Sequence, residues 1–210
     1  MLQKKSASWI LAFQDELKIM GNKMTSNLGW HSRGYLPHCD ATSVTQFITF
    51  RLKDSLPIDA IKKLKNEFAS DNLKYKSDIE KYLDEGYGKC YLKDHACASI
   101  VAGALKFFDG ERYKLIAWCI MPNHVHVLIE VNDSYNLPSI VQSWKSFSAK
   151  EINKVLGLSG AIWQRDYYDR FIRDTEHLHA TMEYIEMNPV KANLADSSKQ
   201  WKYSSAFKHY

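Results

Sequence analysis

Two histidines separated by a single residue sit inside a β-branched, apolar run, Met121-Pro122-Asn123-His124-Val125-His126-Val127-Leu128-Ile129-Glu130. In a strand, residues i and i+2 point to the same face, so His124 and His126 present two imidazoles side by side while Val125, Val127 and Ile129 face the opposite way. Two imidazoles are half of a metal site. An ion needs at least one more ligand, and a hard ion takes a carboxylate, an amide oxygen or water. The competing reading is a pair of ordinary surface or hydrogen-bonded histidines.

The last helical stretch offers the missing group. At 100° per residue, Asn188 falls within ~40° of Tyr184 and His177 within ~20°, so the three share a stripe. Leu178, Met182 and Ile185 lie ~100° to 160° away and form the core-facing stripe, which puts Tyr184 off the apolar face. A phenol, an amide and an imidazole beside two strand histidines suggest a nucleophilic tyrosine next to a metal. Tyrosine is a poor nucleophile near neutral pH, and an ion helps twice, by polarising a phosphoryl oxygen and by stabilising the phenolate. Phosphodiester transfer fits that logic. Tyr167, Tyr168, Tyr203 and Tyr210 compete with Tyr184 for the role, Tyr167 and Tyr168 most closely because they precede the same helix. For any one tyrosine the alternative is amphipathic packing with its hydroxyl in water.

These residues need a scaffold. A chain of 210 residues is long enough for one domain with a proper core. With 45% hydrophobic and 25% charged residues it has a globular composition, which argues against large-scale disorder. A net charge of +4 is compatible with a nucleic-acid partner and decides little alone. Cys39, Cys90, Cys97 and Cys119 form no C-x-x-C pair, so reduced thiols are expected and a structural zinc site is not. No apolar run approaches the ~18 residues that span a bilayer, and no signal-peptide core follows Met1, so a cytoplasmic protein without membrane contact is expected.

Residues 8–20 have helical spacing (Ile10, Leu11, Phe13, Leu17), and a polar stretch up to Thr42 reads as irregular; residues 1–33 are set apart as a helical arm. Residues 45–52 alternate as a strand. Pro57 suits the first turn of a helix through Ile61, Leu64 and Phe68. A short helix over 77–83, a turn at 84–88 and a helix over 95–108 follow. Residues 113–120 and 125–131 are strands joined by a tight connection through Pro122 and Asn123, which makes the histidine strand the second arm of a hairpin. A helix over 138–156 ends at Gly157, and 163–172 reads as a further strand. Asp174 caps a helix to Asn188, with Pro189 enforcing a stop soon after. Hairpin-linked strands and long helices in this order predict an α+β fold, an antiparallel sheet covered by helices.

His124-Val125-His126 resembles the His-hydrophobic-His (HUH) motif of single-tyrosine transposases and relaxases, and Trp118 to His126 resembles the transposase version in particular. The segment Glu183-Tyr184-Ile185-Glu186-Met187-Asn188-Pro189-Val190-Lys191-Ala192 resembles the tyrosine helix of REP-associated tyrosine transposases, and 163–174 resembles the stretch preceding it. Three motifs in the expected order, within 34–207, are far more specific than one triplet. The resemblance implies a ferredoxin-like α+β transposase domain over 34–210, a Mg²⁺ or Mn²⁺ cofactor, and cleavage of single-stranded or hairpin DNA through a 5′-phosphotyrosine. It implies Tyr184 as nucleophile and His124, His126 and Asn188 as metal ligands, Asn188 standing where some relatives carry the longer Gln. Wider relatives work as dimers that exchange the tyrosine helix, so a homodimer is one expectation and a monomer the other. The stretch 74–98 and the arm before Gly34 depart from the smallest members.

For the DNA itself, Lys145, Lys150 and Lys154 with Ser146 and Ser148 suit a phosphate backbone or are simply a solvated face. Arg165, Arg170 and Arg173, interleaved with Trp163, Tyr167, Tyr168 and Phe171, suit bases stacked between cations, or a half-buried strand. His177 is a third metal ligand, a phosphate contact, or a first-turn residue beside Asp174, the last being favoured. A nucleotide-hydrolase pattern, His-φ-His-φ-His, fails because Leu128 takes the third place. A non-catalytic DNA-binding or regulatory protein that keeps the fold, and a phosphodiesterase that uses water, remain the alternatives to a strand transferase.

Overall fold

The computed structural model describes residues 30–32, 37–39, 44–57, 59–60 and 79–207. Strands β1 (Trp30–Ser32) and β2 (Pro37–Cys39) form a small antiparallel pair. After them come β3 (Thr45–Arg51), α1 (His95–Phe107), β4 (Tyr113–Ile120), β5 (His124–Val131), α2 (Leu137–Leu156), β6 (Tyr168–Phe171) and α3 (Thr175–Lys191). The helix expected over 8–20, the body of the one after Pro57, the 33/34 boundary, residues 74–78 and Tyr210 lie outside the described residues.

The helices start and stop where side chains satisfy the free backbone groups. The Asp94 carboxylate accepts from the amides of Ala96 and Cys97 to open α1, and Asn136 accepts from that of Ser139 to open α2. Gly157, at φ 62°, closes α2 in the left-handed conformation that glycine adopts without strain. Asp174 accepts from the His177 amide and opens α3.

The four main strands lie in the order β4-β5-β3-β6, every pair antiparallel. With α1 between β3 and β4, and α2 between β5 and β6, this is the β-α-β-β-α-β ferredoxin-like arrangement. One face carries Ile48, Phe50, Val125, Val127 and Ile129 against Val101 and Leu105 of α1 and Ile140 and Trp144 of α2. The other carries Phe47, Cys119 and Leu128 against Leu178 and Ile185 of α3. Both faces are covered, which is why β5 is apolar in both phases of its alternation, apart from the two histidines and Glu130. The end of the outer edge of β4 is covered by the C-terminal segment, where the Ile120 amide donates to the Tyr203 carbonyl and the Ser205 amide to the Trp118 carbonyl.

Three sequence expectations change. The stretch before Thr42 is not wholly irregular, since it contains β1 and β2. The expected strand over 163–172 shrinks to Tyr168–Phe171, with Trp163 making only an isolated bridge to Leu52. Pro189 lies inside α3, which runs on to Lys191. A proline in the last turn forfeits one amide bond but does not stop the amides of Ala192 and Leu194 from reaching the carbonyls of Asn188 and Pro189. Cys90, Cys97 and Cys119 are free and buried, as expected of thiols with no partner in sequence.

Candidate active site

The register of β3 against β5 builds the site. Thr49 pairs with His126, and Arg51 with His124, so both histidines point to the face that carries Phe47. Both are buried, at 1% and 0% exposure. Their Nε2 atoms converge to 3.0 Å. That is the separation expected for two nitrogens at roughly 2.1 Å from a common ion and 90° apart.

The outward nitrogens are held by neighbours. Asn123 donates its amide NH₂ to the Tyr87 carbonyl at 3.1 Å, which fixes the orientation of its side chain. Its Oδ1, an acceptor only, lies 2.7 Å from His124 Nδ1, so that nitrogen carries the proton and His124 Nε2 keeps its lone pair. Burial drives the His124 pKa down to about 3, so the ring is neutral. His126 Nε2 then donates to His124, and His126 Nδ1 accepts from the Thr49 hydroxyl at 2.8 Å. A threonine hydroxyl both donates and accepts, so Thr49 serves equally the opposite tautomer, in which both Nε2 atoms offer lone pairs to one ion. This is the usual way a protein orients a ligating imidazole.

Asn123 depends in turn on a tight loop. Gly88 has φ 86°, and a Cβ there would lie 2.5 Å from the Asp54 carbonyl oxygen, so only glycine brings the loop this close. The Lys89 amide then donates to the Asp54 carboxylate at 2.9 Å.

Helix α3 brings the third element. Its buried stripe is Leu178, Thr181, Ile185, Asn188 and Pro189. The expectation that Tyr184 stands off the apolar face is therefore revised: its ring packs on the Phe47 and Leu128 cluster, 5.9 Å from Phe47 edge to face and 5.4 Å from the His126 ring. Helix α3 presses its Tyr184 side as well as its Ile185 side onto the sheet. The charge of Glu80 and the amide of Asn188 both act on the Tyr184 hydroxyl. Burial above all, and then the charge of Glu80, raise its pKa well above that of an ordinary phenol.

Asn188 is 2% exposed and its Oδ1 has no hydrogen-bond partner, although a buried amide oxygen is seldom left bare. No group of three or more His, Cys, Asp or Glu suited to a metal occurs among the described residues. The donors available are instead two imidazole nitrogens and one orphaned amide oxygen, and that set fits a divalent ion.

The residues expected to touch DNA divide. Arg170 pairs with Phe47 across β3 and β6 and so lies on the histidine face. Arg165 and Arg173 are exposed. Lys145 is half-buried and donates to the Arg165 carbonyl at 2.6 Å; burial lowers its pKa to about 8, outweighing Asp166. Ser148 and Trp163 are core residues, the Trp163 indole donating to the Ser148 hydroxyl at 2.9 Å, and neither is open to DNA. Lys154 is paired with Glu151. The His177 ring accepts from the Arg173 amide at 3.3 Å, so it serves the start of α3.

Thr49, Glu80 and the structural use of Asn123 escaped sequence reasoning. Thr49 alternates with the apolar residues of its strand and carries no motif of its own. Glu80 lies on a short helix whose partner is more than a hundred residues away.

Residues 91–188 match the family model described as Transposase IS200 like. The chain is 32% identical over 103 residues to a putative REP-associated tyrosine transposase of Haemophilus influenzae, and 27% identical over 96 residues to a REP-associated tyrosine transposase of Escherichia coli. Each match takes in 44% of this chain, and 58% and 54% of the two relatives, so the chain spans little more than half of their length. Among solved structures, a REP-associated tyrosine transposase bound to a REP hairpin matches with a TM-score of 0.51 at 18% identity, covering 83% of this chain and 81% of the other, a likeness of fold. Through residues 91–188, the chain is similar to the IS200-like transposase family, and the curated proteins it resembles there are REP-associated tyrosine transposases.

Proposed function

We propose that the protein is a metal-dependent DNA strand transferase that attacks a phosphodiester with Tyr184 and holds the cut strand as a 5′-phosphotyrosine. The observation that carries this reading is the convergence of His124 Nε2 and His126 Nε2 beside a tyrosine whose helix also supplies the bare Asn188 oxygen. His124, His126 and Asn188 would hold Mg²⁺ or Mn²⁺, which when bound withdraws charge from the scissile phosphate. Two nitrogens and an amide oxygen favour Mn²⁺ over Mg²⁺, which prefers all-oxygen sites.

The chain's own groups do the rest. Packing against Phe47 and His126 orients the phenol and keeps water from its ring. The Asn188 amide, one turn beyond Tyr184 on the same helix, acts on the phenolic oxygen. Arg170 on the same face, and Arg165 and Arg173 nearby in sequence, supply positive charge for the strand. The substrate is proposed to be single-stranded DNA in a hairpin, in keeping with the structural relative bound to a REP hairpin.

The test is a hairpin oligonucleotide incubated with Mn²⁺, the covalent adduct being read on a denaturing gel. The wild type should form the adduct and Tyr184→Phe should not. Cleavage without adduct that survives Tyr184→Phe would identify a phosphodiesterase using water. Hairpin binding with neither cleavage nor adduct under any divalent ion would leave a DNA-binding protein and defeat the enzymatic reading.

A further inference from the structure

A cavity of about 750 Å³ opens between the residues that follow α3, the C-terminal segment around Trp201 and the turn at Tyr91–Lys93. None of its lining residues belongs to the site described above, and its size suits a small ligand or part of a larger one.

Its aromatic wall is held rigidly. Trp201 and Tyr203, two residues apart where the chain is extended, both border the cavity. The Trp201 indole donates to the Ile120 carbonyl at 2.9 Å, and the Tyr203 hydroxyl donates to the His95 carbonyl at 3.0 Å and lies 2.9 Å from the Ser99 hydroxyl. Each ring is thus tied by its one polar atom, and each is only half-buried. Flat, fixed, partly open rings are platforms on which a planar group stacks at little cost in side-chain entropy.

The charges at the cavity are sorted by element. Lys93 and Lys202 are exposed, Lys202 Nζ lying 5.6 Å from the centre of the Tyr203 ring. Asp196 instead follows the C-terminal end of α3, where the helix dipole is also negative. An anion is drawn to the lysines, while the helix end accepts hydrogen bonds from N–H groups. A stacking platform with cations at one part and acceptors at another matches a nucleotide, its base on the rings and its phosphate at the lysines.

The sheet places the cavity beside the candidate active site. Tyr203 and Ser204 pair with the outer edge of β4, and β4 pairs with the histidine strand β5, so the aromatic wall stands two strand spacings, about 10 Å, from that strand. We propose that the cavity receives the base of one unpaired nucleotide of the DNA strand, near the scissile phosphate but not at it, and so anchors the strand beside the histidines. The inference rests on the chain acting on a DNA strand, as proposed above.

The experiment measures, by fluorescence anisotropy, binding of a hairpin oligonucleotide with a short single-stranded extension on each side, each unpaired base being removed in turn to leave an abasic site. For the wild type, one abasic position should weaken binding by roughly 10- to 100-fold. Trp201→Ala should weaken binding of the intact oligonucleotide by a similar factor and be indifferent to that same abasic site. Trp201→Phe, which keeps a ring but loses the bond to Ile120, should retain most of the affinity, which separates stacking from damage to the fold. Lys93→Gln combined with Lys202→Gln, both on the surface, should reduce the slope of log affinity against log salt by roughly 1 for the extended hairpin and leave a hairpin without extensions unchanged. The inference is overturned if no abasic position is coupled to Trp201, or if the lysine substitutions weaken both hairpins alike. It is also overturned if a free deoxynucleoside monophosphate binds the wild type but not Trp201→Ala in calorimetry while no position of the strand is coupled, since the occupant is then a soluble nucleotide. A wild type that forms the Tyr184 adduct without such coupling defeats this inference alone, whereas one that binds no hairpin defeats the strand-transferase reading with it.

Discussion

The closed, neutral state of His124 makes a quantitative prediction about acid stability. In the unfolded chain a histidine titrates near 6.5, whereas burial holds the folded His124 to about 3. As pH falls below 6.5, the unfolded chain takes up a proton that the folded one refuses, so stability is full above pH 6.5 and is lost progressively toward the folded value. At about 1.4 kcal/mol per pH unit, the loss between pH 7 and pH 4.5 is about 2.5 kcal/mol from this residue alone. The perturbation is His124→Asn, which keeps a donor toward Asn123 Oδ1 and removes the titrating ring. Urea unfolding followed by tryptophan fluorescence at pH 7.0, 6.0, 5.0 and 4.5 measures the effect. The variant should start less stable at pH 7, because His126 loses its Nε2 partner, yet lose about 2.5 kcal/mol less on acidification. Carboxylates titrate alike in both proteins and cancel in the comparison. Parallel curves for the two, within about 0.5 kcal/mol, would mean that a proton reaches His124 in the folded state, and the closed site described above would be wrong.

Other substitutions test the parts separately. Thr49→Val removes the hydroxyl that holds His126 Nδ1 and should weaken Mn²⁺ binding by roughly 10- to 100-fold, measured by calorimetry, with little change in far-UV circular dichroism. Asn188→Leu removes the orphaned buried oxygen, so the metal-free protein should gain on the order of 1 kcal/mol in urea unfolding while losing Mn²⁺ binding; a variant that still binds Mn²⁺ with wild-type affinity would exclude Asn188 as a ligand. Gly88→Ala forces its loop off Asp54 and loosens Tyr87 from Asn123, and should show as a lower melting temperature and weaker Mn²⁺ affinity together.

Much of the fold was legible because it is local. The period-two run of 113–131 marks a hairpin, Asp174 marks the start of a helix and Gly157 the end of one, and each signal acts within a few residues. Strand alternation alone put His124 and His126 on one face, opposite Val125 and Val127. Pro189 misled because proline's steric rule concerns the turn before it, and a helix with only two residues left to run loses little by ignoring it. Ser148 was read on a DNA-contacting or solvated helix face, and Trp163 on a base-stacking surface or a half-buried strand, because periodicity on one segment does not reveal what lies across from it.

The order and type of the residues determined that this chain would carry a paired-imidazole strand and a helix bearing a phenol and an amide. Their meeting was decided by tertiary structure. Only the β3 and β5 register sets Thr49 against His126; a slip of one residue would turn Thr49 to the other face. Only the packing of α3 on the second face of the sheet brings Tyr184 beside His126. The physical reason is that strand and helix periods record which way a side chain points from its own backbone. Which distant side chain it meets depends on how buried surfaces fit once the chain has closed on itself.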